Sequence, residues 1–342
     1  MADASTSLTS PGKPDAAPRV VAHRGFAGVN PENTVAAARA AAEAGADAVE
    51  LDVMPCADGV PVVFHDDHLD AGTGRSAART GRSAARTDRT AAETGHGDAA
   101  EGESTVGGWS RGVTDGAGVV WETTCEAVLE AEVLDSGERV PRLDDFAAAV
   151  PDDVALNVEL KRPGAPAVWT DRPRGDDSRG DDPGGDSRRA AVDAPRAGGA
   201  ASDSGRAPWG PFVDAVLAAL DGCGNDVLFS SFSHAALDAV RDRAPEAAVA
   251  VLFAADPGAG LAAARRIDAG AIHPSVDLVV DFDGARVSRL DPHGLVATAR
   301  EEGRAVNVWT VDTWYEATRL REAGADGIIA DYPGLLDGRR VA

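Results

Sequence analysis

Lysine is almost missing from this sequence. Only Lys13 and Lys161 occur among its 33 basic residues, and arginine supplies the other 31. Acidic residues number 56, which leaves a formal net charge of −23 and a pI of about 4.6. A chain this acidic lacks the basic surface that nucleic acids and anionic lipid surfaces attract. We therefore expect neither of them as a partner.

Cysteine and long apolar runs are also scarce. The three cysteines, Cys56, Cys125 and Cys223, lie far apart and form no C-x-x-C pair, which argues against a disulfide framework and a zinc site. No stretch approaches the roughly 20 apolar residues that a membrane span needs. The first residues lack the apolar region of a secretory signal, so we expect a cytoplasmic protein without stable membrane insertion.

Several stretches are too polar to belong to a core. Residues 1–18 are polar and proline-rich and predict a disordered N-terminal tail. A tandem heptad, GRSAART-GRSAART, opens a low-complexity insertion over 74–108. Residues 171–207 are rich in Asp, Gly, Arg and Pro and predict a disordered acidic insertion, either a lid or a free segment. A short tail, 336–342, ends the chain.

The remaining sequence, 19–335, alternates between apolar runs and helical patterns. The runs that predict strands are 19–23, 48–53, 60–65, 154–160, 226–231, 247–253, 271–275, 305–311 and 326–330. They lack polar alternation, which indicates a parallel sheet covered on both faces. So many repeated units favour a (β/α)8 TIM barrel over an open doubly wound sheet. One run is surplus, and the Asp58-Gly59 turn before 60–65 indicates a hairpin there.

Polar and aromatic side chains collect where the predicted strands end, which is where a barrel carries its chemistry. They are His23, Arg24, Glu50, Asp52, His65, Glu159, Lys161, Phe232, His273, Trp309 and Asp331. Glu50 and Asp52 are two residues apart and share one face of a strand. Together with Glu159 they form an oxygen-only set that suits one divalent cation, Mg²⁺ or Ca²⁺, rather than zinc.

The other polar residues suit work on a phosphate ester. His23 and His65 are candidates for a general acid and a general base. Arg24 and Lys161 can hold a phosphate, by a bidentate fork and by a point charge. Taken singly, each has an ordinary explanation as a structural histidine, a solvated edge or an ion pair. So many charges at successive strand ends are costly to bury without pairing or a metal, so the combination favours a site.

These motifs resemble the glycerophosphodiester phosphodiesterase family. The resemblance rests on HRGFAGVNPENT, ELDV, VVFHDD and VELK, and later on LFSSF, VNVWTV and ADGIIADYP. It covers about 19–335 apart from the low-complexity stretches. It implies a TIM barrel that hydrolyses small glycerophosphodiesters with a divalent metal.

The resemblance also implies roles for single residues. The implied acid/base pair is His23 and His65, the metal carboxylates are Glu50, Asp52 and Glu159, and the phosphate ligands are Arg24 and Lys161. In the P-E-N-T motif, Glu32 lies near the site and Asn33 is expected to cap the first helix. Trp309 and Phe232 are expected to line the glycerol pocket.

One span departs from the family. Relatives carry a small insertion subdomain after the H-D motif, and here the middle of that span shows no clear pattern. Two other functions stay open. One is the same barrel acting on a lipid, as in phosphatidylinositol phospholipases C or sphingomyelinase D, although no amphipathic or basic membrane element is visible. The other is a catalytically silent binding barrel, although no member of the His, acid and Lys set is missing.

The acidic, lysine-poor composition predicts adaptation to high salt, because molar salt screens the self-repulsion of such a surface. The alternative is a GC-rich genome, whose codons also favour arginine over lysine. Thermal melting in rising KCl distinguishes the two. Adaptation to salt predicts a large rise in Tm towards molar KCl, and a Tm that barely changes would contradict it.

Overall fold

The computed structural model describes residues 8–12, 16–70, 111–161, 209–283 and 286–337. The low-complexity insertions predicted at 74–108 and 171–207 lie outside these residues, so their disorder stays a prediction.

The described strands build a closed parallel barrel. In chain order they are β1 (Arg19–Ala22), β2 (Ala48–Pro55), β3 (Pro61–Val63), β4 (His68–Asp70), β5 (Arg111–Thr114), β6 (Ala155–Leu160), β7 (Val227–Ser231), β8 (Ala248–Phe253), β9 (Ala271–Pro274), β10 (Val280–Asp283), β11 (Arg286–Leu290), β12 (Ala305–Val311) and β13 (Gly327–Ala330). Eight follow the order β1-β2-β6-β7-β8-β9-β12-β13, and β13 returns to pair with β1. The predicted (β/α)8 barrel is confirmed, and the open doubly wound sheet is excluded.

Helices connect the strands and cover the outside of the barrel. Those in the described residues are α1 (Val35–Glu43), α2 (Cys125–Glu130), α3 (Leu143–Ala147), α4 (Trp209–Ala219), α5 (His234–Arg243), α6 (Pro257–Ile267), α7 (Val276–Val279), α8 (Leu295–Glu301) and α9 (Trp314–Ala323). Their apolar faces form the main core with the outward side chains of the strands. Within this part of the chain, no helix has the length and apolarity needed to cross a membrane.

The surplus strand is the predicted hairpin arm. The amide of Gly59 donates to Cys56 O at 2.9 Å, and the φ of Gly59 is 76°, a conformation that favours glycine. β3 therefore runs antiparallel to β2, with Val63 opposite Val53. The run at 60–65 lies outside the closed barrel and leads into the insertion.

The span after the H-D motif folds, although its sequence shows no clear pattern. A second core joins the end of β2 with β3, β4, β5 and α2. Its buried members are Met54, Cys56, Val62, Phe64, Leu69, Val113, Val120, Val128, Ala131, Val133 and Val140. Its strands are three or four residues long, too short for periodicity to reveal. The described part of the insertion is thus a small subdomain beside the barrel mouth.

Inward side chains change character along the barrel axis. On β2 the same face carries Ala48, then Glu50, then Asp52, and each of these pairs in register with a residue of β6: Ala155, Asn157 and Glu159 respectively. The interior is therefore apolar at its base, where the strands begin, polar in the middle and charged at the mouth. This gradient places the ionisable groups at the carboxyl ends of the strands.

The N-terminal residues 8–12 differ from the expected disordered tail. Leu8 is only 4% exposed and packs among the inward side chains at the base of the barrel. Its carbonyl accepts a hydrogen bond from Asn307 Nδ2 at 3.0 Å. Since a buried apolar side chain and a buried hydrogen bond both favour order, this short segment is part of the folded structure.

His273 lies inside the barrel rather than in the charged cluster at its mouth. It is 1% exposed, and Asn307 Nδ2 lies 3.0 Å from its Nε2. Burial lowers the pKa of His273 to about 3, because an imidazolium loses its hydration there. The ring is therefore neutral and accepts the amide proton of Asn307.

This burial predicts acid sensitivity. Between pH 6.5 and about pH 3 the unfolded chain binds a proton at this position and the folded chain does not, so stability falls as the pH falls, by about 1.4 kcal/mol per pH unit. Urea unfolding from pH 7 to pH 4 should show a flatter pH dependence for His273→Gln than for wild type. The exposed His293→Gln is the control and should follow wild type, and parallel curves for all three proteins would contradict the prediction.

Candidate active site

Three buried carboxylates meet at the mouth of the barrel. Asp52 on β2 lies in register with Glu159 on β6, and Glu50 lies two residues below Asp52 on the same face. One oxygen from each of the three lies within 4.8 Å of the others. Glu50 Oε1 and Asp52 Oδ1 are buried and accept no hydrogen bond from the residues that the structure describes. Such a set of oxygen atoms can hold a hard divalent cation.

Two cations neutralise part of this charge. Arg24 Nε lies 3.0 Å from Asp52 Oδ2, and its Nη1 donates to Glu32 Oε1 at 2.8 Å. Lys161 Nζ lies 3.2 Å from Glu159 Oε1 and 3.5 Å from Asp52 Oδ1. Glu32 therefore lies behind Arg24 and orients it, while Asp52 is held between the two cations.

Burial and neighbouring charges separate the pKa values of the two β2 carboxyls. Burial, followed by the charge of Asp52, raises the pKa of Glu50 to about 8. Burial acts on Asp52 in the same direction, but Arg24 and Lys161 outweigh it and hold the pKa of Asp52 well below its usual range. Asp52 is thus the permanent anion of the cluster.

The two candidate histidines flank the carboxylates. His23 Nδ1 lies 2.6 Å from Asp331 Oδ1, and its Nε2 is 3.9 Å from Glu50 Oε2. His65 Nδ1 lies 2.9 Å from Asp66 Oδ1. In each pair the aspartate binds Nδ1, which leaves Nε2 to face the site.

Their environments shift the pKa values of His23 and His65 in opposite directions. Burial and the charge of Arg24 lower the pKa of both. For His23, the hydrogen bond to Asp331 and the charge of Glu50 prevail and raise its pKa above the ordinary value. For His65, Lys161 adds to the lowering, and its pKa lies well below the ordinary value.

The turn after β1 brings His23 and Arg24 to the mouth. Arg24, Gly25 and Phe26 all have positive φ angles, of 50°, 78° and 64°. A Cβ on Gly25 would lie 2.7 Å from Ala37 Cβ of α1, so only glycine fits between this turn and the helix. The turn also directs the amide of Arg24 to Glu50 Oε2, at 2.9 Å.

The expectation that Asn33 caps α1 is wrong. Thr34 is the N-cap and accepts from the amide of Ala37 at 3.2 Å. Asn33 is buried with a φ of 59°. Its Nδ2 donates to Asp52 Oδ2 at 2.9 Å, and its Oδ1 accepts from the Asp52 amide at 3.3 Å. Asn33 therefore belongs to the site, where it fixes the orientation of Asp52.

Trp309 and Phe232 form a separate aromatic pair at strand ends. Their ring centroids are 5.4 Å apart with the planes perpendicular. Phe232 is 48% exposed, and Trp309 Nε1 donates to the carbonyl of His273 at 2.7 Å. This pair can offer an apolar wall beside the mouth of the barrel.

The described contacts bring eight predicted residues together around the carboxylates: His23, Arg24, Glu32, Glu50, Asp52, His65, Glu159 and Lys161. Sequence reasoning did not assign Asn33, Asp66 and Asp331 to the site. The signal for Asp331 and Asp66 was present, because each follows an apolar run that ends at the barrel mouth. Nothing in the local sequence distinguishes Asn33 from a helix cap.

A comparison with known families agrees with this geometry. The family model described as the glycerophosphoryl diester phosphodiesterase family matches residues 23–168 and 203–335. The chain belongs to this family. The match includes all of the site residues described above and confirms the resemblance.

Relatives of known name span nearly the whole chain. A protein named glycerophosphodiester phosphodiesterase from Caldanaerobacter subterraneus subsp. tengcongensis is 25% identical over 93% of this chain and 95% of its own length. Human glycerophosphodiester phosphodiesterase 1 is 52% identical over 58 residues, which cover 16% of this chain and 18% of the human protein. The higher identity is thus confined to a short segment.

Solved structures share the fold. An Oleispira antarctica phosphodiesterase in complex with the product sn-glycerol-3-phosphate superposes with a TM-score of 0.62 at 22% identity, covering 94% of this chain and 98% of that one. A putative glycerophosphoryl diester phosphodiesterase from Silicibacter pomeroyi also has a TM-score of 0.62, at 23% identity, covering 97% and 95%. At this identity the likeness concerns the architecture.

The pairing of Arg24 predicts a large effect on stability. Arg24→Met leaves Asp52 and Glu32 buried without their arginine, so the free energy of unfolding should fall by about 3 kcal/mol or more. Urea unfolding in the presence of a chelator measures the loss. Arg139→Met removes an exposed ion pair with Glu130, formed at 2.6 Å, and should cost less than about 1 kcal/mol. Equal losses in the two variants would contradict the prediction.

Proposed function

We propose that the protein hydrolyses glycerophosphodiesters to glycerol phosphate and an alcohol. The observation that carries the proposal is the convergence of three buried carboxylates with two histidines and two cations at one barrel mouth. Family membership supports it, as do the names of relatives that span nearly the whole chain. A catalytically silent barrel has no need to keep this costly set of buried charges.

The carboxylates fit a divalent cation. Glu50, Asp52 and Glu159 would hold it, because they present oxygen atoms only and two of these atoms are buried without a hydrogen bond from the described part of the chain. When bound, Mg²⁺ or Ca²⁺ supplies positive charge that stabilises the charge developing on a phosphate.

Arg24 and Lys161 bind the phosphate. Both lie beside Asp52 and are held by carboxylates, so they are ordered before the substrate arrives. The planar fork of Arg24 suits two phosphate oxygens, and Lys161 adds a compact charge. Glu32 and Glu159 keep these side chains in position and lower the cost of ordering them.

The histidines carry out proton transfer. One ring removes a proton from the nucleophile, and the other gives a proton to the leaving alcohol. Asp331 and Asp66 fix the Nδ1 side of each ring, so Nε2 exchanges the proton in both cases. The nucleophile is either water or the neighbouring hydroxyl of the glycerol, which would give a cyclic phosphate.

The glycerol part of the substrate lies against the aromatic pair. Trp309 offers a fixed ring because its Nε1 is hydrogen-bonded to His273 O. Phe232 meets that ring at its edge and is half exposed. An apolar wall of this kind suits the carbon backbone of glycerol, and the hydroxyls then face the charged side of the mouth.

The test is release of glycerol phosphate from glycerophosphocholine, glycerophosphoethanolamine and glycerophosphoglycerol. The assays run with Mg²⁺, with Ca²⁺ and with a chelator, each in molar KCl and in low salt. Activity should need the metal, because Arg24 and Lys161 neutralise only part of the charge of the three carboxylates, which without a metal would repel the anionic phosphate. His23→Ala, His65→Ala and Glu50→Ala should each lower kcat at least about 10³-fold and stay folded by circular dichroism.

His293→Ala changes an exposed histidine on the same barrel and serves as the matched control, with unchanged kcat. Turnover near the wild-type rate in His23→Ala or His65→Ala would remove that residue from the mechanism. If the wild-type protein binds the metal but cleaves none of the three diesters, the proposed substrate class is wrong. Cleavage of lysophospholipids in the same assay would then identify a lipid phosphodiesterase.

A further inference from the structure

The N-terminal segment 8–12 closes the base of the barrel. Leu8 belongs to one buried cluster with inward side chains of all eight barrel strands, at the end opposite the candidate active site: Val21, Ala48, Ala155, Leu228, Ala250, Ala271, Ala305 and Ile329. Five of these eight are alanines. The interior layers of a TIM barrel are ordinarily filled by bulky branched residues, whereas here the buried Leu8 packs with an alanine-rich layer at the base.

Several further contacts fix the segment in place. The amide of Gly12 donates to Asp326 Oδ1 at 2.8 Å, and its carbonyl accepts from Arg300 Nη2 at 2.9 Å. Arg19 Nη2 donates to Ser10 O at 2.9 Å. A Cβ on Gly270 would lie 2.7 Å from Thr9 Cβ, so only glycine leaves room for the segment there. Together these contacts form a docking site for residues 8–12.

The segment is connected to the barrel interior through Asn307. Its Nδ2 is 3.0 Å from Leu8 O and 3.0 Å from His273 Nε2. One amide group has two protons, and these two acceptors take both of them. Asn307 and His273 are at most 1% exposed, so neither bond is exchanged for water at low cost. The position of Leu8 therefore fixes the position of the His273 ring.

His273 in turn holds the aromatic wall. Its carbonyl accepts from Trp309 Nε1 at 2.7 Å. Trp309 lies two residues after Asn307 on the same strand and packs edge-on against Phe232. A continuous chain of contacts thus runs from the base of the barrel, through Asn307 and His273, to a ring at the mouth.

We propose that Asn307 and His273 are positioning residues for Trp309, and that the docked segment 8–12 holds Asn307 in the orientation that this requires. The proposal rests on the proposed function, in which Trp309 contacts the glycerol part of the substrate. Undocking the segment releases the Asn307 amide and weakens its hydrogen bond to His273. That bond crosses from β12 to β9 between the Val306–Ile272 pair and the Ser275–Trp309 bridge, so its loss lets the backbone carbonyl of His273 shift, and Trp309 loses its fixed orientation. Substrate affinity falls, whereas the histidines and carboxylates that carry out the chemistry are untouched.

The first test follows the indole N–H of Trp309 by ¹H–¹⁵N NMR of the full chain. The loss of one indole signal in Trp309→Phe assigns it. Gly270→Ala, which displaces Thr9, and Asn307→Leu should both shift this signal. Gly12→Ala is the matched control, because its Cβ would meet Asp326 at an ordinary 3.6 Å, and it should leave the signal in place. An unshifted Trp309 signal in both test variants overturns the proposal, whether or not the protein has any activity.

The second test separates KM from kcat for the best glycerophosphodiester. Gly270→Ala and Asn307→Leu should raise KM by roughly fivefold or more and change kcat by less than about threefold. In a Trp309→Phe background, Asn307→Leu should raise KM no further, because both changes act through one contact. A purely structural role lowers Tm alone, so an unchanged KM, or an additive effect in the double variant, overturns the proposal. A wild-type protein without turnover overturns the proposed function instead, and the NMR result still decides the coupling.

Discussion

The rest of the site depends on keeping Asp52 ionised inside the barrel mouth. A buried carboxylate is stable only when charges and hydrogen bonds replace its hydration. Arg24 and Lys161 provide the charges, and Asn33 provides a hydrogen bond. Each comes from a different part of the fold: the turn after β1, the end of β6 and the loop before α1. The charged cluster at the mouth therefore forms only when these three segments come together in the folded protein.

A second set of partners surrounds these groups. Glu32 orients Arg24, Glu159 orients Lys161, and Asp331 binds His23. The cluster is acidic in total, with more carboxylates than cations, and burial together with the charge of Asp52 raises the pKa of Glu50 to about 8. An excess of negative charge directed into one cavity suits a divalent cation, and the cations around it suit an anionic substrate. One network thus presents both the carboxylates that the proposed metal needs and the cations that the proposed anionic substrate needs.

The barrel strands explain how the charges reach the mouth without weakening the core. Along β2 and β6 the inward side chains run from alanine through polar residues to carboxylates, while the outward side chains pack against helices. Small residues at the base leave space that Leu8 fills. The apolar base and the charged mouth therefore lie at opposite ends of the barrel axis. Hydrogen bonds of Asn307, His273 and Trp309 connect the base with the aromatic pair near the mouth.

Much of this follows from the sequence alone. Apolar runs without alternation predict parallel strands, and the positions just after them predict the site, because parallel strands end at one edge of a sheet. Asn33 was misassigned and Asp331 was left without a role, since their partners, Asp52 and His23, lie 19 and 308 residues away. The docking of Leu8 was missed for the same reason, whereas the fold of the insertion was missed because its strands are only three or four residues long. The sequence by itself determined the barrel and the polar residues that collect at its mouth, through local periodicity. Only the tertiary structure decided which side chain pairs with which, because those contacts join residues that local patterns cannot connect.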